Sequence, residues 1–364
     1  MMRVVLVDDE APARARLRAL LAEIGGVTVV AEADDADSAR AAVAAHTPDV
    51  LFLDIEMPVE RGTDLAASLP SPRPFLVFAT AYERFAVDAF QYDAADYLLK
   101  PVTRERLRAT LDRLRAKLAV QRDTAREWHD ASRAQAHLLP RELPAVPGYA
   151  LGAATLPARA VGGDFYDVRP VPAGLAFVLG DVAGKGMAAG LIASSVQARW
   201  DAALRRADLE ADTLVASLNR DVLASTEGSR YATLFHAVLD PAAGHLRYVN
   251  AGHPAALVVD ANGRETARLE ATAPAVGLMD IGHFPAQSCT LAPGDTLVVT
   301  SDGVTEARDA AGAEWDVSAV PALVARYRHD APALADAIID AVRQHRGADQ
   351  GQDDVTVFIL RRDP

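Results

Sequence analysis

The sequence GDVAGKGMAAG at residues 180–190 joins an apolar run to an alanine-rich segment. The run before it is typical of a buried strand, and the segment after it is typical of a helix. A glycine-rich turn with a lysine suggests a cradle for nucleotide phosphates, but a Walker loop needs GxxxxGK followed by Ser or Thr. Gly180 precedes Gly184 by one residue too few, and Gly186 stands where the hydroxyl belongs. Asp181, at the end of the strand, is therefore the residue of chemical interest.

Three more aspartates flank apolar strands in the same half of the chain. Asp164 and Asp353 come shortly before a strand, whereas Asp181 and Asp302 come just after one, as when antiparallel neighbours share one end. Carboxylates that converge without nearby histidine or cysteine favour Mg²⁺ or Mn²⁺ over zinc. Two such ions about 3.5–4 Å apart can bridge a water and polarise a phosphoryl group. Singly, each aspartate is typical of a turn; together they predict a two-metal centre.

The segment LLPRELPAVPG, with three prolines, marks the start of this half of the chain. After it, strand-like runs are separated by the turns DPAAG, DANG and LAPGD, which indicate antiparallel pairing. Helical patterns cover residues 187–206, 213–226 and 319–346. We therefore expect residues 141–364 to form a layered α+β domain, a β-sandwich with helices outside its two sheets.

The beginning of the chain alternates between strand-like and helical patterns. Its continuous apolar strands predict a doubly wound (βα)5 domain of the α/β class, with a parallel sheet. Asp8 and Asp9 follow the first strand, Asp54 the third, Thr80 the fourth and Lys100 the fifth, so these residues meet at one edge. Mg²⁺ suits the three carboxylates, and the aspartate after the third strand can then accept a phosphoryl group.

A helical pattern without glycine or proline runs from residue 103 to 139 and predicts a helical linker over residues 103–140. Its seam has heptad spacing and contains Leu107, Leu111, Leu114, Leu118, Gln121, Ala125, Trp128, Ser132, Gln135 and Leu139. The seam begins with leucines and then turns polar. Because we expect a seam of this length to exceed what one small domain can bury, we predict a dimerising coiled coil. The alternative is a terminal helix of the first domain followed by a solvated connector.

Composition excludes several classes of protein. The net charge of −13 argues against binding to the phosphate backbone of nucleic acid. The single cysteine, Cys289, rules out an internal disulfide framework, and its strand-like context indicates a packed thiol. The sequence contains neither an apolar run long enough to span a membrane nor a signal-peptide pattern. We expect a cytoplasmic protein without nucleic-acid or membrane partners.

The motifs VLVDDE, LFLDIEMP, FATAY and DYLLKP resemble those of response-regulator receiver domains over residues 1–120. The segment ERFAVDAFQYDAADYLLKP is most similar to receivers of the LytR/AlgR type. The resemblance implies a cis bond between Lys100 and Pro101 and assigns these roles: phosphorylation of Asp54, Mg²⁺ binding by Asp8, Asp9 and the Glu56 carbonyl, phosphoryl contacts from Thr80 and Lys100, and a switch function for Tyr97.

The C-terminal half resembles PPM-type serine/threonine phosphatases of the SpoIIE/RsbU family. The motifs LPARAVGGDFYD, GDVAGKGMAA, YVNAGHP, LAPGDTLVVTSDGVTEARD and QDDVTVFIL carry this resemblance. It implies two Mn²⁺ or Mg²⁺ ions held by Asp164, Asp181, the Val182 carbonyl, Asp302 and Asp353. Asp354 is the adjacent acid, and the choice between it and Asp353 stays open. Within the turn YVNAGHP, we expect a structural role for His253, because nothing in the metal chemistry needs an imidazole.

Together the resemblances imply a two-component response regulator whose output is protein dephosphorylation. A sensor histidine kinase would phosphorylate Asp54, the receiver face would control formation of a homodimer, and the linker helix would transmit the change. The end of that helix, QAHLLP, would contact the catalytic domain and order its metal site. Family analogy makes the substrate a phosphoserine or phosphothreonine protein, an anti-sigma factor antagonist of the STAS type. We expect phosphorylation to activate.

Two alternatives belong to other functional classes. A transcription regulator is one, because LytR-type receivers usually carry DNA-binding domains; the acidic charge and the lack of a basic recognition element oppose it. The other is a catalytically inactive phosphatase-like scaffold that sequesters a partner. The complete set of aspartates opposes that interpretation.

Overall fold

The computed structural model describes residues 1–81, 94–206, 210–347 and 353–364. The chain divides into two compact units, Met1–Arg126 and Glu127–Pro364. The motif ERFAVDAFQYDAADYLLKP covers residues 83–101. Its first part, residues 83–93, lies outside the described ranges, and its last part, residues 94–101, lies within them.

The first unit contains a five-stranded parallel sheet in the order β2-β1-β3-β4-β5. Its elements are β1 (Met2–Val7), α1 (Ala11–Ile24), β2 (Val27–Ala33), α2 (Ala36–His46), β3 (Val50–Leu53), α3 (Gly62–Ser68), β4 (Phe75–Thr80) and β5 (Asp96–Leu99). This arrangement confirms the predicted doubly wound α/β fold. The order of the strands makes β1, β3, β4 and β5 consecutive neighbours, so their carboxyl ends line one edge of the sheet.

Both faces of this sheet are buried, which explains the continuous apolar strands. Successive residues of a strand point to opposite faces. Val4 and Leu6 of β1 accordingly pack into one core with Leu17 and Leu21 of α1. The intervening residues of β1 pack into a second core on the other face, with residues of α2 and α3.

Helix α4 (Arg104–Ala136) corrects part of the seam interpretation. Its four leucines lie in the core of the first unit beside Val4 and are at most 6% exposed: Leu107, Leu111, Leu114 and Leu118. The expectation that one small domain could not bury this part of the seam is therefore wrong. The spacing indicated a buried face correctly, but that face packs on the sheet of its own domain. Residues 119–127, which follow, are exposed.

The second unit is built from two five-stranded antiparallel sheets. The first has the order β13-β10-β9-β8-β7 and the second the order β12-β11-β14-β15-β6. The strands are β6 (Tyr149–Leu156), β7 (Asp164–Val171), β8 (Gly174–Val182), β9 (Ala232–Asp240), β10 (His245–Ala251), β11 (Ala256–Val259), β12 (Glu265–Leu269), β13 (Gln287–Thr290), β14 (Thr296–Thr300) and β15 (Val355–Arg362).

The two sheets pack face to face, with helices on the outside. Phe177 of the first sheet and Phe358 of the second stack with ring centroids 4.8 Å apart in the shared core. Helices α5 (Met187–Leu204) and α6 (Ala211–Thr226) cover the outer face of the first sheet. The short helix α7 (Asp302–Thr305) follows β14, and α8 (Val320–Arg326) and α9 (Ala331–Arg346) cover the second sheet. The predicted layered α+β sandwich is confirmed.

The third predicted helix, over residues 319–346, is wrong in one respect, because it is broken before α9. A 3₁₀ turn, Val317–Ala319, leads into α8, and α9 begins separately. The Asp330 carboxylate accepts the N–H of Ala333 at 2.9 Å and caps the new helix, whose first turn also contains Pro332. Both features favour a helix start. Across the described ranges, every helix is too short or too polar to cross a bilayer.

Candidate functional site

The first acidic site lies at the carboxyl edge of the parallel sheet. The Lys100 ammonium is 2.6 Å from the carboxylates of both Asp8 and Asp54. Oxygen atoms of Asp8, Asp9 and Asp54 lie within 4.8 Å of one another. An all-oxygen set of this kind suits a hard divalent cation. The structure therefore brings together the three carboxylates and the lysine that sequence analysis singled out.

Burial and the neighbouring charges act in opposite directions on this site. Burial raises the pKa of Asp54 and the charge of Asp8 adds to it, while Lys100 lowers it; the net direction is upward. Burial disfavours the charged ammonium of Lys100, but its bonds to Asp54 and Asp8 outweigh this and raise its pKa. The site thus carries a fixed internal cation that neutralises part of its acidic charge.

The other residues that the resemblance to receivers assigned lie after β3, at the end of β4 and on β5. Thr80 at the end of β4 is 1% exposed, and within the described ranges its hydroxyl meets no hydrogen-bond partner, as suits a group awaiting a ligand. The exposed Glu56 donates its N–H to Asp54 at 3.3 Å. Tyr97 on β5 is partly buried against the core of the sheet. The peptide bond between Lys100 and Pro101 is cis, as predicted.

The second acidic site lies at one end of the sandwich. Asp164 begins β7 and stands directly opposite Asp181 of β8 in the antiparallel register. Asp302 follows β14, and Asp353 precedes β15, the neighbour of β14 in the other sheet. Burial, together with the charges of Asp302 and Asp353, raises the pKa of Asp181 to about 7. The four carboxylates are therefore close enough to share one electrostatic field.

These acids lie in surroundings that disfavour their charged form. Burial, followed by the charge of Asp181, raises the pKa of Asp164 well above its usual range. One oxygen of the Asp164 carboxylate is buried and meets no hydrogen-bond partner within the described ranges. Burial and the charge of Asp353 raise the pKa of Asp302 to about 6. Carboxylates packed together at such a cost fit a site whose charge is offset by bound cations.

Asp353 and Asp354 differ in their surroundings. Asp353 is partly exposed, and its carboxylate is 3.1 Å from the Lys185 ammonium. Asp354 is buried, and its two oxygens accept the N–H groups of Ala158 and Gly163 at 2.7 and 2.8 Å. The carboxylate of Asp354 is thus already occupied with holding the loop that precedes Asp164.

The same loop is held from its other side by helix α4. The amide of Gln135 donates to the carbonyl of Gly162 at 2.7 Å and accepts its N–H at 3.0 Å. A Cβ on Gly162 would lie 2.3 Å from the Asp354 carboxylate, and one on Gly163 would lie 2.7 Å from the Val182 carbonyl. Both positions therefore require glycine. The Val182 backbone is accordingly packed against the residue that precedes Asp164.

Gln135 was visible in the sequence as a polar position of the heptad seam and as the first residue of QAHLLP, the segment expected to contact the catalytic domain, but its partner could not be predicted. Arg346, at the end of α9, was missed altogether. This guanidinium is 2% exposed and donates to the carbonyls of Asp353 at 2.8 Å and Gly303 at 2.7 Å. Arg346 thus links the backbone of Asp353 to that of the residue after Asp302. A basic residue in the last turn of a helix shortly before the acidic pair was the available signal.

The turn around His253 is structural in its contacts. The Asn250 side chain accepts the His253 N–H at 2.8 Å, and the imidazole Nδ1 is 2.8 Å from the Thr233 hydroxyl. Burial lowers the pKa of His253 to about 3, so the ring is neutral. These bonds fix the turn that follows β10, in agreement with the expected structural role.

Comparison with known proteins identifies both halves. The model of the Stage II sporulation protein E (SpoIIE) family matches residues 172–363, and that of the response regulator receiver domain matches residues 4–112. Since the first match covers more than half of the chain, the protein belongs to the SpoIIE family. Its N-terminal unit is a receiver domain.

Curated relatives match the receiver part. The transcriptional regulatory protein BtsR of Escherichia coli K12 is 44% identical over 122 residues, which are 33% of this chain and 51% of BtsR. BtsR of Salmonella typhi is 45% identical over the same shares. The chain thus spans about half the length of the curated relatives it matches.

Solved structures match the sandwich. The SiaA-PP2C domain of Pseudomonas aeruginosa has a TM-score of 0.59 and 22% identity, covering 67% of this chain and 99% of that domain. The RsbU and RsbW domains of a Mycobacterium tuberculosis protein give 0.54 and 27%, covering 62% and 63%. The PP2C domain of Bacillus subtilis SpoIIE, with a fragment of its regulatory domain, gives 0.52 and 19%, covering 60% and 64%. The first and third show a PP2C-type fold.

Proposed function

We propose that the protein is a response regulator whose output is the metal-dependent dephosphorylation of phosphoserine or phosphothreonine in a protein. The receiver and SpoIIE-family assignments support this division of labour. The observation that carries the catalytic part is the gathering of aspartates from two sheets: Asp181 stands opposite Asp164, and burial together with the charges of Asp302 and Asp353 raises the pKa of Asp181 to about 7. Mutually repelling acids of this kind are typical of a site built to hold cations.

In the catalytic unit, the ligands of two divalent ions would be Asp164, Asp181, the Val182 carbonyl, Asp302 and Asp353. When bound, such ions would supply an activated water and would polarise the phosphoryl group. Of the two adjacent acids, we propose Asp353 as the metal ligand, because both oxygens of Asp354 accept N–H groups, those of Ala158 and Gly163. Asp354 would then be a positioning residue.

Other residues of the chain would hold this set in place. Arg346 donates to the Asp353 carbonyl and to the carbonyl of Gly303, which follows Asp302. It would therefore hold the backbone segments of these two ligands at a fixed distance from each other. Asp354 would keep the loop before Asp164 at a fixed distance from β15. Ligands held by packed backbone lose little entropy when they bind an ion.

In the receiver unit, Asp54 would accept the phosphoryl group with Mg²⁺ on Asp8, Asp9 and the Glu56 carbonyl. Lys100 is already within 2.6 Å of Asp54 and would neutralise charge on the transferred group. The hydroxyl of Thr80, which has no partner within the described ranges, would turn toward the phosphoryl oxygens. Its movement, together with Tyr97, would change the outer face of the receiver.

The route from receiver to phosphatase would end at Gln135. Its paired hydrogen bonds with Gly162 connect helix α4 to the loop before Asp164. A change in the position of the helix end would therefore alter the geometry of one metal ligand. Pairing of two chains through the receiver face remains part of the proposal, although the leucines of α4 are buried and cannot contribute.

The substrate we propose is a phosphorylated anti-sigma factor antagonist of the STAS type, and the phosphodonor is a sensor histidine kinase. The fold shared with an RsbU domain supports a partner-switching role. A scaffold that binds the same partner without chemistry would have the same fold, so activity must decide between them.

The test is phosphate release from a phosphoserine peptide by the full chain with Mn²⁺, with and without a small-molecule phosphodonor such as acetyl phosphate. We expect turnover that disappears when a chelator removes the metal and that rises when the receiver is phosphorylated. Molecular mass is measured in the same samples to follow pairing. Substrate binding without any phosphate release would identify the scaffold instead.

A further inference from the structure

The glycine turn that follows β8 is built to hold one side chain in place. Gly184 and Gly186 have φ values of +102° and +81°, which favour glycine. The guanidinium of Arg230 donates to the Ala183 carbonyl at 2.9 Å and lies against the first of these glycines. A Cβ on the second would lie 3.5 Å from the ring of Trp128. The residue between them, Lys185, is therefore presented by a supported backbone.

Lys185 stands on the wall of a cavity of about 520 Å³ beside the metal-site acids. Asp302 and Asp353 line the same cavity. The Lys185 ammonium is 3.1 Å from the Asp353 carboxylate, and its side chain is 43% exposed, so it is reachable from solvent. It faces the space that a group bound to the metal-site acids would enter.

Lysine is an uncommon choice in this chain. The sequence has three lysines, Lys100, Lys117 and Lys185, among its 37 basic residues. Lys100 contacts the acceptor aspartate of the receiver. An ammonium is a compact point charge with rotatable donors, whereas a guanidinium is broad and planar. The chain thus uses arginine at most of its basic positions but has a lysine in the glycine turn. A small cation of this kind fits beside metal ions.

Among the described residues, two other cations line the cavity, and their contacts differ from those of Lys185. Arg308 pairs with Glu314 at 2.6 Å. Arg346 is buried and donates to two backbone carbonyls. Both guanidinium groups are directed at protein acceptors, whereas the carboxylate beside Lys185 is one that we assign to a metal ion. Once a divalent ion neutralises Asp353, the attraction between that carboxylate and the ammonium weakens.

We propose that Lys185 is the phosphate-binding residue of the catalytic unit. Its ammonium donates hydrogen bonds to the non-bridging oxygens of the phosphoryl group of a phosphoserine or phosphothreonine. This inference rests on the proposed phosphatase function. The positive charge of the metal ions would be used largely to neutralise the carboxylates of the site. A dianionic phosphoryl group therefore needs further positive charge, which Lys185 supplies at the wall of the cavity.

The test is the Lys185→Gln variant, which keeps the length of the stem and removes the charge. Binding of inorganic phosphate to the Mn²⁺-loaded full chain is measured by calorimetry, and Mn²⁺ binding is measured in the same way. We expect phosphate affinity to fall by on the order of 10-fold to 100-fold, as for loss of a charged hydrogen bond. Turnover of p-nitrophenyl phosphate should show a raised KM with a smaller change in kcat.

Two variants serve as controls. Lys185→Arg should restore part of the phosphate affinity, because the charge returns on a broader group. Arg326→Gln removes a positive charge from the exposed side of α8 and should leave phosphate affinity unchanged, which excludes a long-range charge effect. Thermal unfolding of each variant shows that the fold is intact.

Unchanged phosphate affinity in Lys185→Gln, together with tighter Mn²⁺ binding, would overturn the proposal and make Lys185 only a counter-ion of Asp353. A wild-type chain that binds no phosphate when loaded with Mn²⁺ would also overturn it. The proposed phosphatase function fails separately, if the wild type binds phosphate but hydrolyses no phosphoserine peptide.

Discussion

The two acidic sites of this chain solve the problem of clustered carboxylates differently. In the receiver, Lys100 is 2.6 Å from both Asp8 and Asp54, so a protein cation is part of the cluster. In the catalytic unit, Asp164 and Asp181 face each other across two strands, and their neighbours are further acids. In the first site one protein cation contacts two of the carboxylates, whereas in the second Lys185 contacts Asp353 and the facing pair, Asp164 and Asp181, has further acids as neighbours.

This difference has a consequence for how each site responds to metal. A carboxylate cluster with an internal cation can remain assembled between phosphorylation events. A cluster whose members raise one another's pKa stores repulsion that a divalent ion relieves. Metal binding should therefore stabilise the catalytic unit more than the receiver, and the variants below test that contrast.

The largest expected effect is on catalysis. Asp302→Asn removes a ligand charge while preserving shape, and we expect phosphate release to fall on the order of 10³-fold, because metal-ion stabilisation contributes several kcal/mol. Mn²⁺ should also no longer raise the melting temperature of the catalytic unit. Phosphorylation of the receiver by acetyl phosphate should be unaffected. Activity close to that of the wild type would mean that Asp302 is not a ligand.

The next effect tests the two halves of helix α4. Leu111 is fully buried in the receiver core and Val120 is 67% exposed. Leu111→Ala should lower the free energy of unfolding by about 3 kcal/mol, while the matched Val120→Ala should change it by less than about 0.5 kcal/mol. Urea unfolding followed by circular dichroism measures both. A lower molecular mass without loss of stability in Leu111→Ala would instead support a leucine coiled coil.

A third prediction concerns pH and the core of the catalytic unit. Burial lowers the pKa of His236 to about 4, and its Nδ1 accepts the indole N–H of Trp200 at 3.2 Å. Between pH 6.5 and 4 the unfolded chain binds a proton that the folded chain does not, so this contribution to stability is complete above pH 6.5 and is lost as the pH falls. At about 1.36 kcal/mol per pKa unit it amounts to about 3 kcal/mol.

The isolating variant is His236→Asn, which retains an acceptor for Trp200 but does not titrate. The difference in unfolding free energy between the metal-free wild type and this variant should shift in favour of the variant between pH 7.5 and 4.5. A difference that is constant with pH would show that His236 has the same pKa in the folded chain as in the unfolded chain.

A smaller effect is expected at the end of helix α4. Gln135→Leu removes both hydrogen bonds to Gly162. The loop before Asp164 would lose one of its two anchors. We therefore expect about a 10-fold rise in the Mn²⁺ concentration needed for half-maximal activity, which corresponds to the free energy of about one hydrogen bond. Arg133→Leu, an exposed position on the same turn, is the control. Equal effects of the two would remove the special role of Gln135.

The smallest effect on basal chemistry should come from the receiver. Asp54→Asn removes the phosphoryl acceptor, so activation by acetyl phosphate should disappear while phosphate release without phosphodonor stays within about twofold of the wild type. Asp64→Asn, on helix α3, is the matched control and should keep the response. Loss of basal activity in Asp54→Asn would contradict the separation of the two sites.

Much of this architecture could be predicted because its signals are local. The expected alternation of strands and helices at the beginning of the chain is confirmed by α1 and α2, which lie between β1 and β2 and between β2 and β3. The receiver cluster was also predictable, since parallel neighbouring strands end at one edge and any acid after such a strand must lie there. The glycine-rich turn could be separated from a nucleotide loop by its spacing and by Gly186, which stands where the loop needs a hydroxyl.

Other features were decided by tertiary contacts. The heptad spacing of α4 shows that one face is covered, but the same spacing serves a partner helix and a sheet of the same domain equally well. Asp353 and Asp354 are adjacent in sequence, yet one faces a cavity and the other holds a loop, because neighbouring residues at the start of a strand point in opposite directions.

The sequence by itself therefore determined which segments form strands and helices, and which acids lie at their ends, because these depend on periodicity and on the side chain's own chemistry. The tertiary structure alone decided what covers each buried face and which polar group Gln135 or Arg346 contacts. Such contacts join residues distant in the chain, and their energies depend on a geometry that no local pattern encodes.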